Sequence, residues 1–310
     1  MMRFEKWSMV ATLASLSALA LAQPTIDGTR DALYGTPIVV QDTPTGFGDN
    51  NLGQVDYANG SELDAAYAYV DTTNSILYLF LAGNLESNFN KLEIFFDTVA
   101  GGQNRLRGDN SGVDFGGLNR MGDDGSGNGL TFDAGFEADY WIGVTGGGGP
   151  YALYANWAEL LTSGGGPGDY LGTTGAASDG TLSGGNNPNG IRITINNSNT
   201  GGVTGSAADP AAASAVFTGV ELAIPFAAIG ITGTPTIKIS AFINGSGHDF
   251  LSNQVLGGVG GLGNLGEPRN VNFANIAGDQ YFTVVVPEPA SMVALGVGLT
   301  SLLALRRRKA

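Results

Sequence analysis

The chain predicts an all-β protein, an antiparallel β-sandwich of the jelly-roll kind with long glycine-rich loops, and three observations carry that reading. Nine short runs concentrate or alternate Val, Ile, Leu, Phe and Tyr in the way strands do. Asn, Asp, Gly and Pro separate the runs, and glycine supplies 50 of the 310 residues, against an ordinary share of about 7%. Only 157–162 and 225–229 offer short helical candidates, which argues against alternating strand and helix units.

Taken in order, AYAYVD (66–71) alternates, SILYLFLAG (75–83) is continuously apolar, and KLEIFFDT (91–98) places Leu92, Ile94 and Phe96 on one face. ADYWIGV (138–144), YALYAN (151–156), IRITIN (191–196), GVELAI (219–224), IKISAFIN (237–244) and QYFTVVV (280–286) follow. The glycine tracts at 146–149, 164–168 and 172–190 read as surface loops within one domain, residues 23–285, because sandwiches of this length fold as single units. Nothing repeats at a fixed period.

Charge and composition exclude several classes of function. Residues 23–285 hold eight cations against 26 acids, a formal charge of −18, which repels nucleic acid and anionic polymers. Cysteine is absent, so disulfides, thiolate zinc sites and cysteine nucleophiles are ruled out within this chain. His248 is the single histidine; it lies in the loop-like NGSGHDFLSNQ and reads as a loop residue.

Both ends read as addresses. Residues 1–22 combine Arg3 and Lys6, an apolar stretch from Met9 to Leu21 and the small-residue pattern Ala20-Leu21-Ala22, the three parts of a secretory signal cut by signal peptidase after Ala22. Residues 286–310 begin with the extended Val286-Pro287-Glu288-Pro289, where two prolines forbid helix. A single transmembrane helix is expected over 290–305, followed by Arg306, Arg307, Arg308 and Lys309 as a cytoplasmic stop. A permanently uncut anchor is the alternative at this end.

Pro-Glu-Pro, a short apolar helix and a terminal arginine cluster, in that order, resemble the PEP-CTERM sorting signal of Gram-negative bacteria. The resemblance implies that an exosortase, a membrane transpeptidase, recognises Pro287, Glu288 and Pro289 and removes the transient anchor. It further implies an outer-surface or exopolysaccharide-matrix destination. In the body, Ile26-Asp27-Gly28, Asp97 and Glu221 with Ala223-Ile224-Pro225 are similar to motifs of family-9-type carbohydrate-binding and DOMON-like β-sandwiches.

Two clusters are candidates for chemistry. Asp109, Asn110, Asp114, Asp123, Asp124 and Asn128 supply hard oxygen donors on glycine-permissive backbone and make a candidate Ca²⁺ site, although Asx turns account for the same residues without metal. Glu137, Asp139 and Trp141 fall on one side of a strand and make a candidate ligand site, while Trp157, Tyr151, Tyr154 and Tyr170 are further rings able to stack on sugars. The expected role is non-catalytic, structural or carbohydrate-binding, with a surface polysaccharide hydrolase as the alternative.

Overall fold

The computed structural model describes residues 22–46, 60–205 and 207–288. The signal segment up to Leu21, Pro289, the helix expected over 290–305 and the cations Arg306 to Lys309 lie outside the described residues. Among those described, no helix is long and apolar enough to cross a membrane.

Two antiparallel sheets form a sandwich. The smaller has the order β1–β2–β3–β10–β9, built from Val39–Val40, Glu62–Asp71, Ile76–Asn84, Gly219–Pro225 and Arg192–Ile195. The larger runs β12–β11–β4–β5–β6–β7–β8, from Leu251–Val255, Thr236–Asn244, Asn88–Asp97, Tyr140–Gly147, Ala152–Glu159, Gly168–Gly175 and Ser183–Gly184. β13, Phe282–Val285, pairs with the first half of β11. Five strands against eight make a larger and less even sandwich than the eight strands of a jelly roll.

Each of the nine expected strand runs corresponds to a strand, while β1, β7, β8 and β12 fall outside those runs. β7 and β8 overlap the stretches read as loop, because the GDYLGTTG backbone pairs with β6, with a register shift at Leu171, despite its few side chains. The residues expected to start a helix at Trp157 instead finish β6, while Phe226–Ile229 is a single 3₁₀ turn.

Alternation places Leu92, Ile94 and Phe96 of β4, Ile142 and Val144 of β5 and Leu153 and Ala155 of β6 against Leu77, Leu79, Leu81, Leu222 and Ile224 of the smaller sheet. This is the central core. The outer face of the smaller sheet is also covered, and that of the larger sheet in part, which explains why SILYLFLAG of the smaller sheet is apolar on each side rather than alternating. Over the smaller sheet, Tyr67, Tyr78 and Phe80 pack with Ile26, Tyr34 and Val216. Across part of the larger sheet, Phe95, Trp141 and Phe242 are buried beneath Leu118, Met121, Leu130, Phe132, Phe136 and Phe273. The polar stretch 98–139 is therefore a second layer with its own apolar underside, and each of its buried large side chains contributes about 1.5–3 kcal/mol by leaving water.

The motif pieces near residues 26 and 221 meet in space. Glu221, fully buried, accepts hydrogen bonds from the Asp27 and Gly28 amides at 2.9 Å each and from the Tyr34 hydroxyl at 2.7 Å. Its carboxylate ties the N-terminal segment to β10. Burial pushes its pKa up, opposed by these three donors. Asp97 at the end of β4 pairs with Lys238 at 2.9 Å. In this chain these residues hold the sandwich together.

Candidate functional site

One part of the larger sheet's outer face stays open. Lys91 of β4, Thr145 of β5, Tyr154 and Asn156 of β6 and Tyr170 of β7 line a cleft of about 930 Å³ with Phe89 and the 111–115 turn. The polar residues lie low, with Lys91, Thr145 and Asn156 each buried, while the rings of Phe89 and Tyr170 are 47% and 40% exposed. Phe115 stands fully in solvent, and its backbone is left-handed at φ 56°, next to Asp114 at φ 48°. Two consecutive non-glycine residues in that region cost about 1–2 kcal/mol each. Such strain persists only where the surroundings enforce it.

A network beneath the turn provides the enforcement. Asp114 Oδ2 lies 3.1 Å from Lys91 Nζ and 2.9 Å from His248 Nε2, while His248 Nδ1 lies 2.7 Å from Glu93 Oε1. Trp141 Nε1 donates to Glu93 Oε2 at 2.8 Å, Asn244 donates to the other oxygen, and Lys91 also donates to Thr145 at 3.0 Å. Two cations thus face two carboxylates, and the group is buried and neutral overall. Burial works against protonation of His248, but Glu93 and Asp114 outweigh it and push its pKa up to about 9. For Asp114, burial acts upward and is overcome by His248 and Lys91, which hold the carboxyl below its usual range. Gly117 backs the imidazole so closely that a Cβ there would sit 2.2 Å from the ring.

His248, expected to be a plain loop residue, is thus 3% exposed and is the keystone of the cleft wall. Both of its nitrogens are engaged, so its chemistry is positional. On the far side of the same turn a second recess of about 500 Å³ is lined by Lys91, Phe115, Arg120, His248 and Arg269. There Arg120 is paired with Glu267 at 2.5 Å and Arg269 with Asp124 at 2.8 Å. Phe115 is the ridge between the two hollows.

The residues expected to bind ligand are separated. Trp141 is completely buried under the second layer with its indole N–H on Glu93, so its ring is not available for stacking. Asp139 is buried as well, its Oδ2 accepting from the Thr98 and Val99 amides at 2.8 and 2.9 Å; burial raises its pKa to about 6. Glu137 points into solvent, and both acids precede β5 rather than sharing its face. Trp157 is buried against the smaller sheet, whereas Tyr154 and Tyr170 do reach the cleft.

The expected calcium ligands are also dispersed. Asp109 pairs with Arg107 at 2.6 Å and Asp124 with Arg269. Asp123 accepts the Gly125 and Gly127 amides, Asn110 is locked to Gln103 and Asn119, and Asn128 is exposed on a turn. Asp114 alone belongs to the cleft. Among the described residues, no group of three or more acids and histidines is arranged to hold a metal ion. Turn chemistry and ion pairs account for this stretch.

The C-terminal address starts inside the fold. Val286 is 2% exposed and its amide bonds Pro235 O at 3.0 Å, while Pro287 and Glu288 are exposed just beyond it. Neither the comparison with curated proteins nor that with solved structures returned a match. Residues 285–309 match the family model of the PEP-CTERM protein-sorting motif. The chain therefore carries, across the end of its last strand and the segment that follows, the signal of an exported protein recognised by an exosortase.

Proposed function

We propose that the exported body is a non-catalytic, glycan-binding component of the outer surface or exopolysaccharide matrix of a Gram-negative bacterium. Secretion across the inner membrane, with removal of the signal by signal peptidase, precedes sorting. The observation that supports this reading is the open cleft. It presents exposed rings at Phe89, Phe115 and Tyr170 above a polar floor of Lys91, Thr145 and Asn156. Sugars offer apolar C–H faces and hydroxyl edges, and a site of this kind meets both, the rings by stacking and the floor by hydrogen bonds. The likeness of the body's motifs to carbohydrate-binding sandwiches points the same way.

A non-catalytic role is favoured by the acid content of the cleft. Among the described residues Asp114 is the single carboxylate in its lining, and that group is fixed by Lys91 and His248. Glycosidases ordinarily need two carboxyl groups about 5–10 Å apart across the scissile bond.

Purified residues 22–288, tested by affinity electrophoresis and calorimetry against neutral exopolysaccharides, should bind saturably without releasing reducing ends. Phe115→Ala and Tyr170→Ala should each weaken binding by about tenfold, on the scale of one lost stacking contact. Turnover of the polymer would replace this reading by the hydrolase, and the absence of any binding would leave a structural role.

A further inference from the structure

The sorting signal has no linker. Its matched segment opens at Val285, which is still paired with Thr236 in the sheet, and Val286 remains part of the central core. Residues 287–289 span at most about 10 Å even when fully extended. Any enzyme that grips Pro-Glu-Pro must therefore lie against the end of the sandwich where the chain leaves it.

The immediate surroundings of Pro287 at that end are uncharged. Pro287 sits in a groove of about 520 Å³ with Thr72, Ser75, Phe226, Ala227, Thr232 and Gly233. The two segments that frame it, TTNSI at 72–76 and PFAAIGITGTPT at 225–236, contain no charged residue, in a body that has 26 acids. Asp71, at the edge, is turned inward: its carboxylate accepts from the Thr73 and Asn74 amides and from the Gln23 side chain. Apolar and hydroxyl side chains can be desolvated by a partner at far smaller cost than carboxylates.

We propose that this uncharged groove around Pro287 is a docking surface for the exosortase, which reads the folded end of the body together with the linear motif. The proposal rests on the sorting reading, and it assigns the Thr72–Ile76 and Pro225–Thr236 loops a role in processing. Ala227 and Thr232 are exposed in the groove and carry no backbone strain, so they are suitable probes.

The test follows processing of the full-length chain in its native host by pulse-chase and terminal mass. The double variant Ala227→Asp with Thr232→Asp should be processed about tenfold more slowly than wild type, while Ala227→Ser with Thr232→Ser should keep the normal rate. Adding a ten-residue Gly-Ser insertion between Val286 and Pro287 should abolish the sensitivity to the aspartates, because the enzyme then meets the motif away from the groove. A misfolded variant would not be rescued in that way. Equal rates for the aspartate variant and wild type would overturn the proposal. A wild-type chain that is never cut, or one cut as well after Glu288→Ala with Pro287→Ala, would instead bring down the sorting reading beneath it.

Discussion

The outward face of the larger sheet has two halves, and the same strands run through both. Along β4 the outward residues are Phe95, Glu93 and Lys91; along β5 they are Trp141, Gly143 and Thr145; along β6 they are Ala158, Asn156 and Tyr154. At the first end of each series the residues are apolar and lie under the second layer. The other end is polar or amphipathic and is the floor of the cleft. Glu93, Asp114, His248 and Lys91 mark the seam, where a buried charge cluster stops the apolar cover and supports the Asp114–Phe115 turn. One sheet thus supplies both a core and an open site, and a change in side-chain polarity along each strand decides which is which. Substitutions on either side of the seam should therefore separate stability from binding.

The largest effect belongs to the covered half. Phe132 is 1% exposed and contacts Phe95 edge-on with ring centroids 4.9 Å apart, and Phe136 in a tilted arrangement at 4.9 Å. Phe132→Ala should lower unfolding stability by about 3–5 kcal/mol, measured by denaturant titration. If the second layer were a loosely attached loop, the loss would be below about 1 kcal/mol and would leave the sandwich transition unchanged.

At the seam the effect is smaller and depends on pH. The imidazole of His248 titrates near 6.5 in the unfolded chain and near 9 in the folded one. A raised pKa means that the folded state holds the proton more tightly. Its contribution, about 3 kcal/mol, is complete below about pH 6.5 and is lost as the pH rises through 9. Unfolding free energies measured near pH 6 and near pH 9.5 should show this fall in the wild type. His248→Gln should be less stable near pH 6 and should lack the fall, whereas an alkaline limb identical in both proteins would remove His248 from the network.

This division also explains which parts of the protein were legible in the sequence. The strands were readable because alternation and β-branched or aromatic runs are local signals, and the sorting motif because its three parts adjoin one another. By contrast, the second layer was hidden: Leu106, Leu118, Leu130, Phe132 and Phe136 are scattered through Gly, Asn and Asp with no period, so only tertiary packing reveals their common face. His248 gave no signal because its partners Glu93 and Asp114 lie 155 and 134 residues away. Trp141, the candidate ligand residue, and Tyr154, one of the further rings, both read as able to stack on sugars. The cover over one and not the other distinguishes them, and that cover is built by side chains of the second layer, not by either ring's own strand.

The smallest stability effect is expected in the open half, where it is also the most informative. Phe115 buries nothing, since its ring is fully exposed, and its φ of 56° is a conformation that glycine adopts without penalty. Phe115→Gly relieves about 1–2 kcal/mol of backbone strain and adds roughly 0.5–1 kcal/mol of unfolded-chain entropy. The net change should thus be between zero and about 1.5 kcal/mol in favour of the folded state. A melting temperature equal to or above that of the wild type, together with weakened glycan binding, would mean that the chain carries a strained and exposed ring for the sake of a ligand. If stability instead fell and binding held, Phe115 would be a packing residue of the turn, and the aromatic wall of the cleft would rest on Phe89, Tyr154 and Tyr170 alone.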